Sequence, residues 1–240
     1  MTLTEILDST RYQLDKSGSH ALADFQPEDL AFWADEATKE FIKLRYGVNN
    51  NVGKPFEVTQ KRIEDLKSLV ISTDNIVFTL SPVYNVNLLP LERPDFQGAL
   101  PVDLWIFISM VSYGNKPGCA LKLLRTKQVS HDEISTCLAD PFNKPNATKF
   151  LYLFESVNNM LIFVMNGMSI PKTIITYLRK PKSILATLIG GPNSYTDMNQ
   201  QLELPDITHN EIVKLCVKMI LENIESGRYQ TILNEYKDVE

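Results

Sequence analysis

Residues that hold metals or attack substrates are scarce in this chain. Its 240 residues include only three histidines and three cysteines. Cys119, Cys137 and Cys216 lie far apart and no C-x-x-C pair occurs, which excludes the metal-ribbon pattern. An odd number of isolated thiols fits a reducing compartment, with all three buried or inert. His20, His131 and His209 fall in different parts of the chain, and no H-x-H or H-x-x-x-H spacing offers zinc a ligand pair. No G-x-S-x-G elbow raises a nucleophilic serine. Gly190-Gly191-Pro192 lacks the trailing glycine and the lysine with which a loop cradles phosphate. His131 and His209 each follow a Ser or Thr that reads as a helix cap, so both are expected on exposed first turns. The expectation is therefore no cofactor, no metal and no catalytic residue. Acids brought together by folding leave a small soluble hydrolase open as an alternative.

Long apolar runs are also lacking. Leu104–Val111, Met160–Met165 and Ile184–Ile189 fall well short of the roughly 20 residues a bilayer span requires. The N-terminus has neither a basic start nor an apolar run, so it does not read as a secretory signal. Basic excess is absent too: the net charge is −5 and the pI about 5.3. Affinity for nucleic acid comes mostly from neutralising phosphates, so an acidic chain is not built to wrap it. It can still let DNA pass. The expected product is a soluble protein made in the cytoplasm, with no membrane partner.

What is present is an ordinary globular composition, 44% apolar and 22% charged, which argues against global disorder. The length suits one substantial core. The fold class is α+β: N-terminal helices, a central mostly antiparallel β region with one short inserted helix, and a long C-terminal amphipathic helix. The boundaries are 1–72 for the helical part, 73–207 for the β-rich core with a long loop at 81–101, and 208–240 for the last helix packed on that core, as one compact unit.

In the first part, Thr2-Leu3-Thr4-Glu5 has the form of a capping box, and Leu3, Ile6, Leu7 and Leu14 share a side. Pro27-Glu28-Asp29 opens a second helix, with proline in the first turn and acids at the positive dipole end. Leu30, Trp33, Ala34, Ala37, Phe41 and Leu44 recur at helical spacing. A third helix is expected over 59–70.

The middle part predicts strands over 76–80, 102–112, 119–124, 150–154, 161–165 and 173–178, rich in β-branched and aromatic residues. Ser156-Val157-Asn158-Asn159 signals a hairpin. Ser130-His131-Asp132-Glu133 reads as a second capping box, and Asp140-Pro141 ends the short helix it opens. The third part is expected to be a loop and then a helix from about Thr208 to Ser226, opened by the box Thr208-His209-Asn210-Glu211. Its apolar arc is wide. Ile212, Leu215, Cys216, Met219, Ile220 and Ile224 form the stripe, and Val213, Val217 and Leu221 extend it past half the circumference. Such a helix is either central to the core or buried between its own domain and a neighbouring subunit. Val213, Val217, Leu221 and Tyr229 are the subunit-interface candidates.

Two further segments are candidates for interaction. Lys172, Arg179, Lys180 and Lys182, with Tyr177 among them, form a basic stretch that either contacts a nucleic-acid backbone or protects an edge strand. The span from Leu80 to Pro101 is too proline-rich for regular structure and too apolar for a linker. It reads as an arm laid on another surface, through Val83, Tyr84, Leu88, Leu89 and Phe96, or as a loop packed on its own domain.

Three segments together carry a resemblance: Asp140-Pro141-Phe142-Asn143-Lys144-Pro145, Tyr177-Leu178-Arg179-Lys180-Pro181, and Leu204-Pro205-Asp206-Ile207-Thr208-His209-Asn210-Glu211-Ile212-Val213. Over roughly residues 120–226 the chain resembles virion structural proteins of the crAss-like tailed bacteriophages. The resemblance implies a head-proximal ring or connector, stacked below the portal as a twelvefold homo-oligomer in the virion, made in the bacterial host cytoplasm. Portal protein and neighbouring tail ring proteins would be its partners, with DNA passing transiently through the lumen. Another tail component, such as a tail terminator or an outer ring protein, is the alternative. The implied role is structural and carries no catalytic residues. Each ring subunit presents two different faces to its neighbours, in a head-to-tail contact that closes by rotation.

Overall fold

The computed structural model describes residues 1–17, 25–46, 60–74, 76, 78–80, 96–116, 118–156, 158–165 and 167–223. The protein is mixed α/β, and its contacts divide it into two units. One is discontinuous, Met1–Leu69 with Pro181–Glu240; the other is Val70–Lys180.

The discontinuous unit is helical. Helix α1 is Leu3–Ser17, α2 is Pro27–Tyr46 and α3 is Gln60–Leu66, followed by a 3-10 turn at Lys67–Leu69. The returning segment supplies α5, Ile184–Ile189, and α6, Asp206–Asn223. Helix α2 lies against α1, α3, α5 and α6, and α1 also meets α6. Its inward face carries Ala31, Ala34 and Ala37, all fully buried, and such short side chains let neighbouring helices approach closely. Leu3, Ile6 and Leu14 of α1 and Ile212, Val213, Cys216 and Ile220 of α6 complete this core. Burying one such Leu or Ile side chain stabilises the fold by about 2 kcal/mol.

The start of α1 forms as the sequence predicts. The Glu5 amide donates to Thr2 Oγ1 at 3.2 Å, and the Thr2 amide donates to Glu5 Oε2 at 2.9 Å. The third box does not form. Helix α6 begins two residues earlier, at Asp206, so Thr208 is already inside it and its hydroxyl donates to the Pro205 carbonyl at 2.8 Å. The expected extension of this helix to Ser226, and the residues beyond, lie outside the described residues. The short apolar run 184–189, expected within a loop, is helix α5. Ser183 caps it and Gly190 ends it in the left-handed region, at φ 75°.

The continuous unit is one eight-stranded sheet. The strands are β1 Val70–Thr73, β2 Phe78–Leu80, β3 Phe96–Ala99, β4 Leu104–Asn115, β5 Lys122–Gln128, β6 Lys149–Ser156, β7 Asn159–Phe163 and β8 Ser169–Arg179. Their order is β1-β8-β4-β5-β6-β7-β3-β2. Every neighbouring pair is antiparallel except β5 with β6. Strand β5 bridges the two halves: Lys122–Leu124 pair with β4, and Arg125–Gln128 pair with β6. Short helix α4, Ile134–Ala139, follows β5.

The run Phe150-Leu151-Tyr152-Leu153-Phe154 has no polar member because β6 is covered on both faces. Phe150 and Tyr152 join Met110, Leu124, Met160, Ile162, Ile175 and Tyr177 in the main core. Leu151 and Leu153 join Leu161, Phe163, Cys137 and Leu138 in a second cluster, where α4 contributes. The hairpin from β6 to β7 pairs Ser156 with Asn159, where the turn signal placed it. The box before α4 does not form, because Glu133 occupies the cap position without a side-chain hydrogen bond and Ser130–Glu133 is a turn.

Candidate assembly surface

The interface candidates of α6 are inside the first unit. Val213, Val217 and Leu221 are 0%, 4% and 1% exposed. The chain itself covers all three, so a subunit contact at these side chains would have to displace what packs on them now. Tyr229 lies outside the described residues. Between them on the same helix, burial pushes the Cys216 thiol up to about 12 despite a hydrogen bond with Thr10, which leaves it neutral and inert. Cys137 is buried as well, whereas Cys119 is exposed.

His209 departs from the expectation of an exposed first-turn residue: it is completely buried. The Met1 ammonium donates to its Nδ1 at 2.8 Å, which fixes the tautomer, and its Nε2–H donates to the Leu204 carbonyl at 2.8 Å. Burial holds the ring below the usual imidazole range. The Leu204 carbonyl and Asp206 oppose that shift, and the Met1 ammonium reinforces it. His131 is exposed, with Nε2 3.0 Å from the Phe154 carbonyl. His20 lies outside the described residues.

Two polar clasps hold the helices of this unit together, and sequence reading missed both. Asp35 of α2 is buried on the face of Ala31, Thr38 and Ile42. It accepts hydrogen bonds from the Ser183 hydroxyl, from the Ile184 amide at 2.7 Å and from the Leu185 amide at 3.2 Å, and so fastens the start of α5. Burial pushes its carboxyl above the usual range, and these hydrogen bonds oppose the shift. A carboxylate on an otherwise inward stripe was the signal available in the sequence. The second clasp is Arg45. Its Nε stands 3.1 Å from Asp65 Oδ2, its guanidinium also pairs with Glu211 of α6, and it lies 5.0 Å over the Phe41 ring.

In the second unit, the basic stretch is not at an edge. Strand β8 lies between β1 and β4, and the expectation of an edge strand is corrected by the sheet order. Edge protection is therefore not what its charges do. Lys172 pairs with Asp74 at 3.3 Å. The Lys180 amide donates to the Asp103 carbonyl at 2.8 Å. Arg179 ends β8 and is opposite Leu104 of β4. Lys182, in the helical unit, approaches Glu203 at 3.7 Å and lies 5.5 Å over the Tyr195 ring. Tyr177 donates to Asp103 at 2.9 Å, and burial with that hydrogen bond pushes its hydroxyl up to about 12.

Of the arm candidates, Phe96 opens β3 and packs against the main core, so the expected loop at 81–101 is corrected at 96–99, which is a strand of the chain's own sheet. Val83, Tyr84, Leu88 and Leu89 lie outside the described residues. Apolar side chains that the chain leaves open include Phe32, Val102, Phe142 and Ile207, together with Val111, Leu121 and Leu123 around β4 and β5. Among the described residues, no three His, Cys, Asp or Glu side chains come together as a metal site requires, and no helix is long and apolar enough to cross a membrane.

Exposed apolar side chains such as Phe32 and Leu123 leave surface that a partner can cover. The chain belongs to the phage tail ring protein 3/4 family of crAss-like phages, whose model matches residues 1–230. Members are structural components of the phage tail, so the chain is a virion component. No curated protein matches the chain.

Proposed function

We propose that this protein is the subunit of a closed ring in the portal–tail connector, with phage DNA passing through the lumen. The observation that carries this reading is the family match over residues 1–230. The ring has twelve copies, and its neighbours in the stack are the portal protein and the adjacent tail ring proteins. The chain is made in the host cytoplasm and acts without catalysis or cofactor. The acidic net charge of −5 supports passage of DNA over retention, because carboxylates repel phosphates. In this reading Val83, Tyr84, Leu88 and Leu89 belong to an arm on a neighbouring ring protein and Tyr229 to a subunit contact, while Phe96 stays in the chain's own sheet. Lys172, Arg179 and Lys180 serve the sheet and its end, and Lys182 serves the helical unit.

Native mass spectrometry of the tail complex released from particles tests the reading. A twelve-copy species bound to portal protein supports it. A single copy, or a ring released only with distal tail proteins, replaces it with a tail terminator or an outer ring protein.

A further inference from the structure

The outer face of strands β8, β4 and β5 is polar towards β1, where Ser72, Ser109 and Thr176 lie, but apolar at its other end. Antiparallel pairing puts opposite residues on the same face, and residues two apart along a strand share it. Val111 is opposite Ile174, and Tyr113 is opposite both Leu123 and Lys172. Val111, Tyr113, Leu123 and Ile174 therefore lie together. The other face at these positions is the core, where Met110, Leu124 and Ile175 are buried. Leu121, just before β5, adds to the patch. Leu123 is 61% exposed, Leu121 50% and Val111 39%. The rim is basic. Arg125 follows Leu123 on the same face, and Lys172 stands at the other side with its partner Asp74.

The charges of the two units point to the occupant. Residues 70–180 carry ten Lys or Arg against eight Asp or Glu. The remainder of the chain carries fourteen against twenty-one. The acidic excess thus belongs entirely to the unit that does not carry the apolar sheet face. Within it, α1 presents an exposed stripe at helical spacing, Glu5, Asp8, Tyr12 and Asp15, with Tyr12 66% exposed. An aromatic among carboxylates matches an apolar face with a basic rim.

We propose that the β8-β4-β5 face of one copy receives the α1 stripe of the next copy. This deepens the ring reading and rests on it. The contact is head-to-tail, as ring closure requires, because the two surfaces come from different units. Tyr12 lies over Leu121 and Leu123, and Asp8 and Asp15 approach Arg125 and Lys172. Opposite charges bring the copies together in one orientation, and burial of the apolar band holds them.

Sedimentation of the full chain, with matched circular dichroism, tests the contact. Leu123→Glu should keep the fold and weaken assembly about tenfold or more, as loss of an interface anchor does. Arg125→Glu and Asp8→Lys should each weaken assembly, and the two together should restore part of it. Cys119 lies in the β4–β5 turn and gives a readout that needs no substitution. Its alkylation should be fast in dissociated protein and slow in the ring. A wild-type ring whose assembly Leu123→Glu leaves unchanged overturns this contact and leaves the ring reading standing. Equal Cys119 reactivity in both states does the same, as does charge reversal without mutual rescue. Wild-type protein that stays monomeric, both alone and with the tail proteins produced beside it, overturns the ring reading and this contact with it.

Discussion

Arg45 near the end of α2 pairs with Glu211 in α6, two residues separated by 166 positions in the chain. The same guanidinium faces Asp65, whose side chain is 4% exposed. One cation therefore joins α2 to α6 and to the end of α3. Arg45→Met should destabilise the protein by about 3 kcal/mol, because the buried Asp65 loses its guanidinium. Glu211→Gln keeps the Asp65 contact and should cost about 1 kcal/mol. Denaturant midpoints of the two variants check the ranking, and equal losses would contradict it.

His209 gives the fold a pH dependence of known sign. Its folded-state pKa is depressed by burial, below an ordinary value of 6.5. The stability it contributes is therefore present above about pH 6.5 and is lost as the pH falls through the lowered folded value. Thermal unfolding between pH 7.5 and 5 should show a decline that His209→Gln flattens. The same decline in both proteins would assign it to other groups.

Gly98 in β3 is opposite Phe78 in β2. A Cβ at position 98 would stand 2.5 Å from the Phe78 ring, closer than real contacts allow. Gly98→Ala should cost about 1–3 kcal/mol through overpacking. Phe78→Leu should remove much of that penalty in the double variant, as a double-mutant cycle would report. Additive losses would show that the clash is relieved in another way.

Val217 tests what covers the wide apolar arc of α6. It is 4% exposed within the chain, so Val217→Asp and Leu215→Asp should both unfold the first unit. Circular dichroism separates this outcome from the other one. A folded Val217→Asp monomer that no longer assembles would return this side of α6 to a subunit contact.

Features set by neighbouring residues were readable in the sequence. The α1 capping box, the proline and acids opening α2, and the β6–β7 turn are each complete within four residues. The double burial of β6 shows in its unbroken apolar run, Phe150 to Phe154. Features set by distant partners were not readable. The six residues of α5 are too few to distinguish helix from loop by periodicity, and Asp35, which fastens its start, lies 148 positions before Ser183. The place of β8 inside the sheet depends on β1, a four-residue strand without a pattern of its own. His209 is buried because Leu204 and the amino terminus fold back on it, so a first-turn position alone gave the wrong exposure. Leu121 and Leu123 had no distinguishing mark before the pairing of β5 showed which face they share.

The central claim is that copies of this chain close into a ring in the phage tail. A reconstruction of the native particle without imposed symmetry, with the chain located in the density, tests it most directly. The account predicts a closed ring at the portal–tail junction, with the helical unit of each copy against the sheet face of the next. A chain found as isolated copies, or outside the tail, would contradict it.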